Sequence, residues 1–418
     1  MKGLFMFWTA IALVFMLSNG GCAYSALLDK LSNPTGIPMQ VWKSSMSWVA
    51  GIKPPVRYVI YLPLPSAQNT NRQLPTVKTL TLLTYDDSCT YNTKINQLLN
   101  STFTNSFRKG YVRTREVCLP EYYKDFGDQI LDMDVRDDDV WVCSFPKTGT
   151  TWTQEMVWCI ANDLDYEGAK VVLPERFPFL ELTALFDYRS NQALNLTEED
   201  LNSVLTIQNM KGRRFIKTHL PWNLLPRKLQ NKSTKAKIIY VTRNPKDTCI
   251  SYFHHCGLME GYTGTLEEFY KLFLNDAPCF APYWDHVLDF WAVAKKNENI
   301  LFIKYEGMKK DLRSIISQVA SHLSKKLTTD QVESLENHLS FENMKNNPAT
   351  NYEFVVKFNK ENHLIQDKLL DGKFMRSGKV GGYKAQMSSE VEKAFDEWSR
   401  KKTEGTDFSF ENDNKVFR

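Results

Sequence analysis

The sequence predicts a single α/β domain with a central parallel sheet flanked by helices, preceded by a poorly structured N-terminal extension. Three observations predict it. Near-continuous apolar runs recur at 140–145, 237–242 and 300–303, the pattern of short strands covered on both faces. Segments of helical length separate and follow them, and strands alternating with helices at this spacing build βαβ units. Basic turns directly follow the first two runs, where parallel α/β sheets place their ligands.

Taken in order, residues 1–24 carry one early cation, Lys2, an apolar run of about 15 residues and a small-residue region. They read as a signal-like or anchor-like segment, short of the ~20 residues that span a bilayer. Residues 25–104 hold no persistent periodicity, because Pro54-Pro55, Leu62-Pro-Leu-Pro and the polar run 66–73 interrupt it. They are expected to be a linker or disordered extension. The domain is expected over 105–412, with 413–418 as a tail. Within it, Asp137-Asp-Asp139 leads into the strand 140–145, Pro146 ends that strand, and a helix over 152–162 follows. A weakly amphipathic stretch lies at 198–208, and 214–221 reads as a strand ending in a turn. Helices are expected at 245–256, 266–274, 282–297, 311–324, 330–338 and 389–402, the remainder of 340–418 being loop-rich.

Composition narrows the function. An apolar fraction of 43% and a charged fraction of 24% are ordinary for a globular enzyme. Fifty-two Lys and Arg against 48 Asp and Glu give a net charge of +4, too mild to point to nucleic acid. The eight cysteines form no Cys-x-x-Cys pair and no Cys–His cluster with zinc spacing, so reduced thiols and no metal are the simplest expectation. His254 and His255 are adjacent on an expected helix and point to different faces.

Four stretches carry chemistry. Pro146-Lys-Thr-Gly-Thr-Thr-Trp152 is a strand–turn–helix phosphate cradle, where backbone N–H groups and the Lys147 ammonium converge on one anion. It differs from a Walker A loop, since Lys147 precedes the only glycine, Gly149. Lys217-Thr-His219 places a histidine at a strand end beside a lysine, suited to a base. Arg243-Asn-Pro-Lys-Asp247 puts a planar cation at the next strand end, with Ser251 on the following helix. Finally, Gly372 to Lys384, with Arg376, Ser377 and Gly378, forms a basic glycine loop.

In this order the stretches resemble the cytosolic sulfotransferase family, as do Leu339-Ser-Phe-Glu-Asn-Met344 and Phe374-Met-Arg376 with Gly378. The resemblance covers roughly 105–412. It implies a P-loop-like sulfotransferase fold and 3′-phosphoadenosine 5′-phosphosulfate (PAPS) as co-substrate, with no metal. Lys147, Thr148, Gly149, Thr150, Thr151 and Trp152 would hold the 5′-phosphosulfate. Arg243, Ser251, Arg376, Ser377 and Gly378 would bind the 3′-phosphate. Tyr305, Leu339, Ser340, Phe341 and Met344 would line the adenine pocket. His219 would be the base, Lys147 the cation at the leaving oxygen, and Lys217 the cation on the sulfonate. Ser251 would restrain the lysine from premature hydrolysis of the donor.

The implied acceptor is a small phenol, steroid, other alcohol or amine, and Phe177, Phe179, Phe186 and Trp222 are candidate pocket walls. Three positions depart from the family: Ser377 replaces a cation, Gly382 an acid, and Leu339 a hydroxyl residue. The family's dimer motif would fall at 384–393, where Lys393 replaces its final Glu, so that homodimer is not expected. The implied compartment is the cytoplasm. A luminal enzyme acting on glycans or proteins is the alternative if residues 1–24 function, with sequons at Asn100, Asn195 and Asn231. The other rivals are a nucleotide-binding protein without transferase activity and a P-loop kinase.

Overall fold

A computed structural model describes residues 83–410, apart from 89, 91, 104–105, 190, 192–193, 195, 198–199 and 367–371. The chain divides into two units, Met1–Leu82 and Leu83–Arg418. The first unit lies outside the described residues, and with it the expected signal-like segment and most of the expected linker; the tail 413–418 and Asn195 lie outside them too.

Four parallel strands form the central sheet: β3 (Val140–Cys143), β4 (Phe215–Thr218), β5 (Lys237–Thr242) and β6 (Ile300–Lys304), in the order β4-β3-β5-β6. A separate antiparallel pair, β1 (Tyr111–Thr114) and β2 (Val117–Pro120), precedes them. The period of two along each strand sends alternate residues into two cores. Trp141 and Cys143 of β3 and Ile238 and Tyr240 of β5 enter one cluster; Val140, Val142, Ile239 and Val241 enter the other. This is why these strands read as unbroken apolar runs. Register places Cys143 beside Thr218 and Tyr240, so β3, β4 and β5 bring their carboxyl ends to one edge.

Eleven helices concern the site and its frame: α1 (Thr93–Thr102), α2 (Thr150–Ala161), α3 (Pro245–Glu260), α4 (Leu266–Leu274), α5 (Tyr283–Ala294), α6 (Tyr305–Lys310), α7 (Leu312–His322), α8 (Thr329–His338), α9 (Phe341–Asn346), α10 (Glu353–Glu361) and α11 (Ser389–Thr403). Local chemistry sets their starts. Asn244 caps α3 by accepting the Lys246 N–H, with Pro245 in the first turn. Thr265 with Glu268, and Thr328 with Gln331, form capping boxes on α4 and α8.

Two expectations are corrected. The extension read over 25–104 includes α1, whose Leu99 is 1% exposed in the main core and whose Thr102 carbonyl accepts the Thr263 N–H at 2.7 Å. One short helix capped by Asn92 carries too few periodic residues to stand out between turn-rich stretches. The thiols are also not all reduced: Cys118 is disulfide-bonded, while Cys143, Cys159, Cys249, Cys256 and Cys279 are free and buried. Disulfide pairing depends on contacts across the fold, which spacing does not encode. Among the described residues no helix is long and apolar enough to cross a membrane.

The entry to β3 is locked by a buried ion pair. Arg214 Nε donates to Asp139 at 2.8 Å, with the two side chains 1% and 0% exposed. Arg214→Met should leave the carboxylate buried without its cation and cost about 3–5 kcal/mol, read as a lower urea midpoint.

Candidate active site

The turn after β3 is built by two residues with positive φ, Lys147 at 68° and Gly149 at 109°. Alternating hands of backbone in such a turn aim successive N–H groups inward, the geometry of an anion nest. Gly149 is required twice over: its φ suits glycine, and a Cβ there would meet the Tyr305 ring at 2.8 Å. Thr148 faces away from the nest. Its hydroxyl lies 2.8 and 2.9 Å from the carbonyls of Phe145 and Val241, shares its one proton between them and ties the turn to β5. Its backbone N–H remains to serve an anion, while its hydroxyl is structural. Thr150 Oγ1 lies 2.7 Å from Ser144 Oγ, and Thr151 and Trp152 begin α2.

Three cations converge on this nest. Lys147 Nζ stands 3.8 Å from the centroid of Phe374, Lys217 Nζ 4.0 Å from that of Phe179, and the Arg243 guanidinium 4.5 Å from that of Tyr305. Burial, then repulsion from Lys217 and Arg243, pushes the Lys147 ammonium down to about 7. Burial likewise brings Lys217 down to about 8, opposed by the Glu181 carboxylate. Partial burial and then Arg243 lower Arg376, which places its charge beside the same group.

His219 follows β4. Its Nδ1 lies 2.8 Å from the Ser144 carbonyl, which can only accept, so the neutral ring carries its proton there and Nε2 keeps a lone pair. The ring is wedged between Phe179 and Phe280, with centroids 5.1 and 5.5 Å away. Burial first, and Lys217 second, hold its pKa well below the ordinary imidazole range. His286 Nε2 donates to the His219 carbonyl at 2.8 Å and fixes the backbone from the other side.

The C-terminal glycine loop folds back onto the cradle. Tyr305 donates from its hydroxyl to the Gly378 carbonyl at 3.0 Å, and Arg243 donates to the Lys379 carbonyl at 2.8 Å. A Cβ on Gly378 would meet Phe341 at 2.5 Å, which brings the 339–344 segment and the loop together. The loop has its acid after all: Asp247 accepts the N–H groups of Gly381 and Tyr383 at 2.7 and 3.0 Å. Ser377 sits beside Gly378 in this loop, and Ser251 lies on α3, which Asn244 caps just after Arg243. The Trp152 ring packs edge-on against Tyr305 at 5.6 Å, and Trp152 Nε1 and Arg243 Nε are buried without a partner among the described residues.

Several expected contacts fall elsewhere. Leu339 and Met344 are core residues packed in the second cluster, and Ser340 caps α9 through Asn343 N–H. Phe177 packs on Phe215 in that same cluster and Trp222 on Phe290, so neither joins the rings beside His219. Phe179 does; Phe186 joins Phe107 and Tyr188 in a neighbouring apolar cluster. Glu181 and Phe280 were missed, and Phe374, which the resemblance rests on in part, was given no role in the site. Glu155, Cys159 and His338 also gather within metal-binding distance of one another, but Arg176 donates to Glu155 at 2.7 Å and His338 lies at 2.7 Å, so the carboxylate is already engaged.

Residues 137–407 match the family profile described as "Sulfotransferase domain". The chain is 41% identical over 320 residues to the luciferin sulfotransferase of Photinus pyralis, covering 75% of this chain and 85% of that protein. It is 36% identical over 271 residues to the amine sulfotransferase of Oryctolagus cuniculus, covering 64% and 82%. Among solved structures, retinol dehydratase in complex with androsterone and the inactive cofactor PAP superposes with a TM-score of 0.70 at 29% identity, covering 78% of this chain and 98% of that one.

The double demand on Gly149 is separable. Gly149→Ala should destabilise the chain by about 1–3 kcal/mol through φ strain and the Tyr305 clash together. Adding Tyr305→Ala should recover only the part due to the clash, as read from urea midpoints of the two variants.

Proposed function

The chain belongs to the sulfotransferase family, and we propose that Lys147, Lys217, Arg243 and His219 divide the work of its transfer among them. The reaction moves a sulfonate group from PAPS to a small acceptor. The side chains fit such a donor: three cations and a nest of N–H groups converge, and the Trp152 Nε1 and Arg243 Nε donors stand without partners among the described residues. PAPS, when bound, supplies the sulfonate and a phosphate leaving group. Arg243, joined by Ser251, Arg376, Ser377 and Gly378, holds its 3′-phosphate, and the turn Lys147–Trp152 holds the 5′ side. Tyr305 and Phe341 border the base, with Leu339, Ser340 and Met344 supporting that wall from behind.

His219 carries the reading. Its Nδ1 proton is committed to Ser144, so Nε2 is free to take the proton from an acceptor hydroxyl or amine as the new S–O or S–N bond forms. Lys147 meets the charge that develops on the leaving phosphate oxygen, and Lys217 holds the sulfonate oxygens during the in-line displacement. Side-chain cations supply the charge that the transfer calls for.

The acceptor we infer is a small apolar molecule bearing a hydroxyl or amine. Support comes from Phe179 and Phe280 around His219, and from the acceptors named for the relatives, luciferin and amines. The compartment follows the family, the cytoplasm. A luminal reading is favoured by one observation, the disulfide at Cys118, since such bonds persist in oxidising compartments. Asn100 and Asn231 are exposed sequon positions. A glycosidase-induced mobility shift of the full-length protein decides for the lumen, and its absence with reduced Cys118 for the cytoplasm.

His219→Ala should lower turnover about 10²–10⁴-fold for every acceptor in a panel of phenols, steroids, retinoids and amines, while PAP binding stays near wild type. The pH profile of kcat/KM should have two limbs. The acid limb lies below the ordinary imidazole range, because His219 stays neutral until its depressed pKa is reached. The basic limb begins between about 7 and about 8, as Lys147 and Lys217 lose their protons with rising pH. Under saturating donor the basic limb of kcat should move upward, since bound anions favour the charged lysines.

A further inference from the structure

We propose that Glu181 is a positioning residue for this reaction, clamping the His219 backbone and serving as the counter-charge that keeps Lys217 an ammonium. The inference rests on the roles read above for His219 and Lys217. Its geometry begins at the free edge of the sheet. Pro178 to Leu180 run parallel to β4, with the Lys217 N–H donating to the Pro178 carbonyl and the Leu180 N–H to the Lys217 carbonyl, both at 2.9 Å. That pairing sets Phe179 under the Lys217 ammonium and carries Glu181 to the end of β4. There one carboxylate oxygen accepts the His219 N–H at 2.6 Å and the other accepts the Thr218 hydroxyl at 2.8 Å.

Glu181 is 0% exposed, and a carboxylate so buried is costly unless hydrogen-bonded and paired. Its hydrogen bonds explain why it tolerates burial; they do not explain why it should be an acid. Burial raises its pKa to about 7, and among the causes that lower it the one side-chain cation is Lys217. The other titratable groups that feel its charge are Tyr123, Cys143 and Cys279, all buried and held neutral. Around Lys217, the groups in range are Glu181, Lys147, His219 and His255, and Glu181 is the sole anion among them. A residue that served only to cap the backbone could be an amide, because Thr218 Oγ1 can accept as well as donate. A residue that sets the charge of Lys217 could not.

Glu181→Gln separates these roles. Measured as kcat/KM from about pH 6 to 10, it should move the Lys217 part of the basic limb down by about one unit and lower the rate at pH 8 about fivefold. PAP affinity by calorimetry should stay within about threefold, since PAP lacks the sulfonate that Lys217 holds. Glu181→Asp, which keeps the charge, should leave the limb at its wild-type position even at a reduced rate. A Gln variant whose basic limb coincides with wild type overturns the inference, as does an Asp variant shifted like Gln. His219→Ala, assayed alongside, keeps the two readings apart. If it is inactive while Gln at 181 behaves as wild type, only the role of Glu181 falls. If it is fully active, the reading of His219 falls first.

Discussion

Lys147, Lys217 and Arg243 are gathered into one hollow at the carboxyl edge of a parallel sheet, and the withdrawal of these cations from water is the constraint around which the site is arranged. Burial first, and for Lys147 repulsion from Lys217 and Arg243 second, depresses the two lysines to about 7 and about 8. Aromatic faces offset part of the cost. Phe374, Phe179 and Tyr305 each lie under one cation, and such a contact contributes about 0.5–2 kcal/mol. What remains is a site poorly satisfied by its own side chains and well satisfied by an anion.

The fold makes this concentration of charge by register. Cys143 lies beside Thr218 and Tyr240, so the residues that follow β3, β4 and β5 emerge together: the Lys147 turn, His219 and Arg243. Segments distant in sequence then close the hollow. Gly378 bears on Phe341, Tyr305 holds the Gly378 carbonyl, and Asp247 anchors Gly381 and Tyr383. The absence of an acid at 382 therefore costs the loop little, because Asp247 supplies one from α3. His219 is held on both sides, its ring by the Ser144 carbonyl and its own carbonyl by the His286 ring, which fixes a tautomer as well as a position.

The sheet and the cradle were legible because their signals are local. A buried parallel strand must be apolar throughout, and a phosphate nest needs glycine and basic residues within one turn, so 140–152 announced itself. The order of Lys147 and Gly149, with His219 and Arg243 downstream, narrowed the chemistry. What failed to show depended on contacts across the chain. The Thr148 hydroxyl is engaged as a strut between the turn after β3 and β5, which leaves its backbone N–H for an anion. Leu339 and Met344, which the resemblance put on the pocket wall, pack in the second core cluster, because a motif does not say which side of a wall each of its residues takes. Glu181 was invisible because its role is set by the pairing of Pro178 with Lys217, a register written in neither segment alone. The disulfide at Cys118 was hidden for the same reason, whereas the helix at 93–102 was too short to show a period.

Without donor the lysines of the site are short of protons, and a bound anion restores them. Calorimetric titration of PAP into the full-length protein at pH 8, repeated in buffers of differing ionisation enthalpy, measures this directly. With Lys147 at about 7 and Lys217 at about 8 in the free site, binding should draw in about one proton or more per site, and Lys147→Met should remove most of that uptake. Binding of PAP with no net proton uptake would contradict the account.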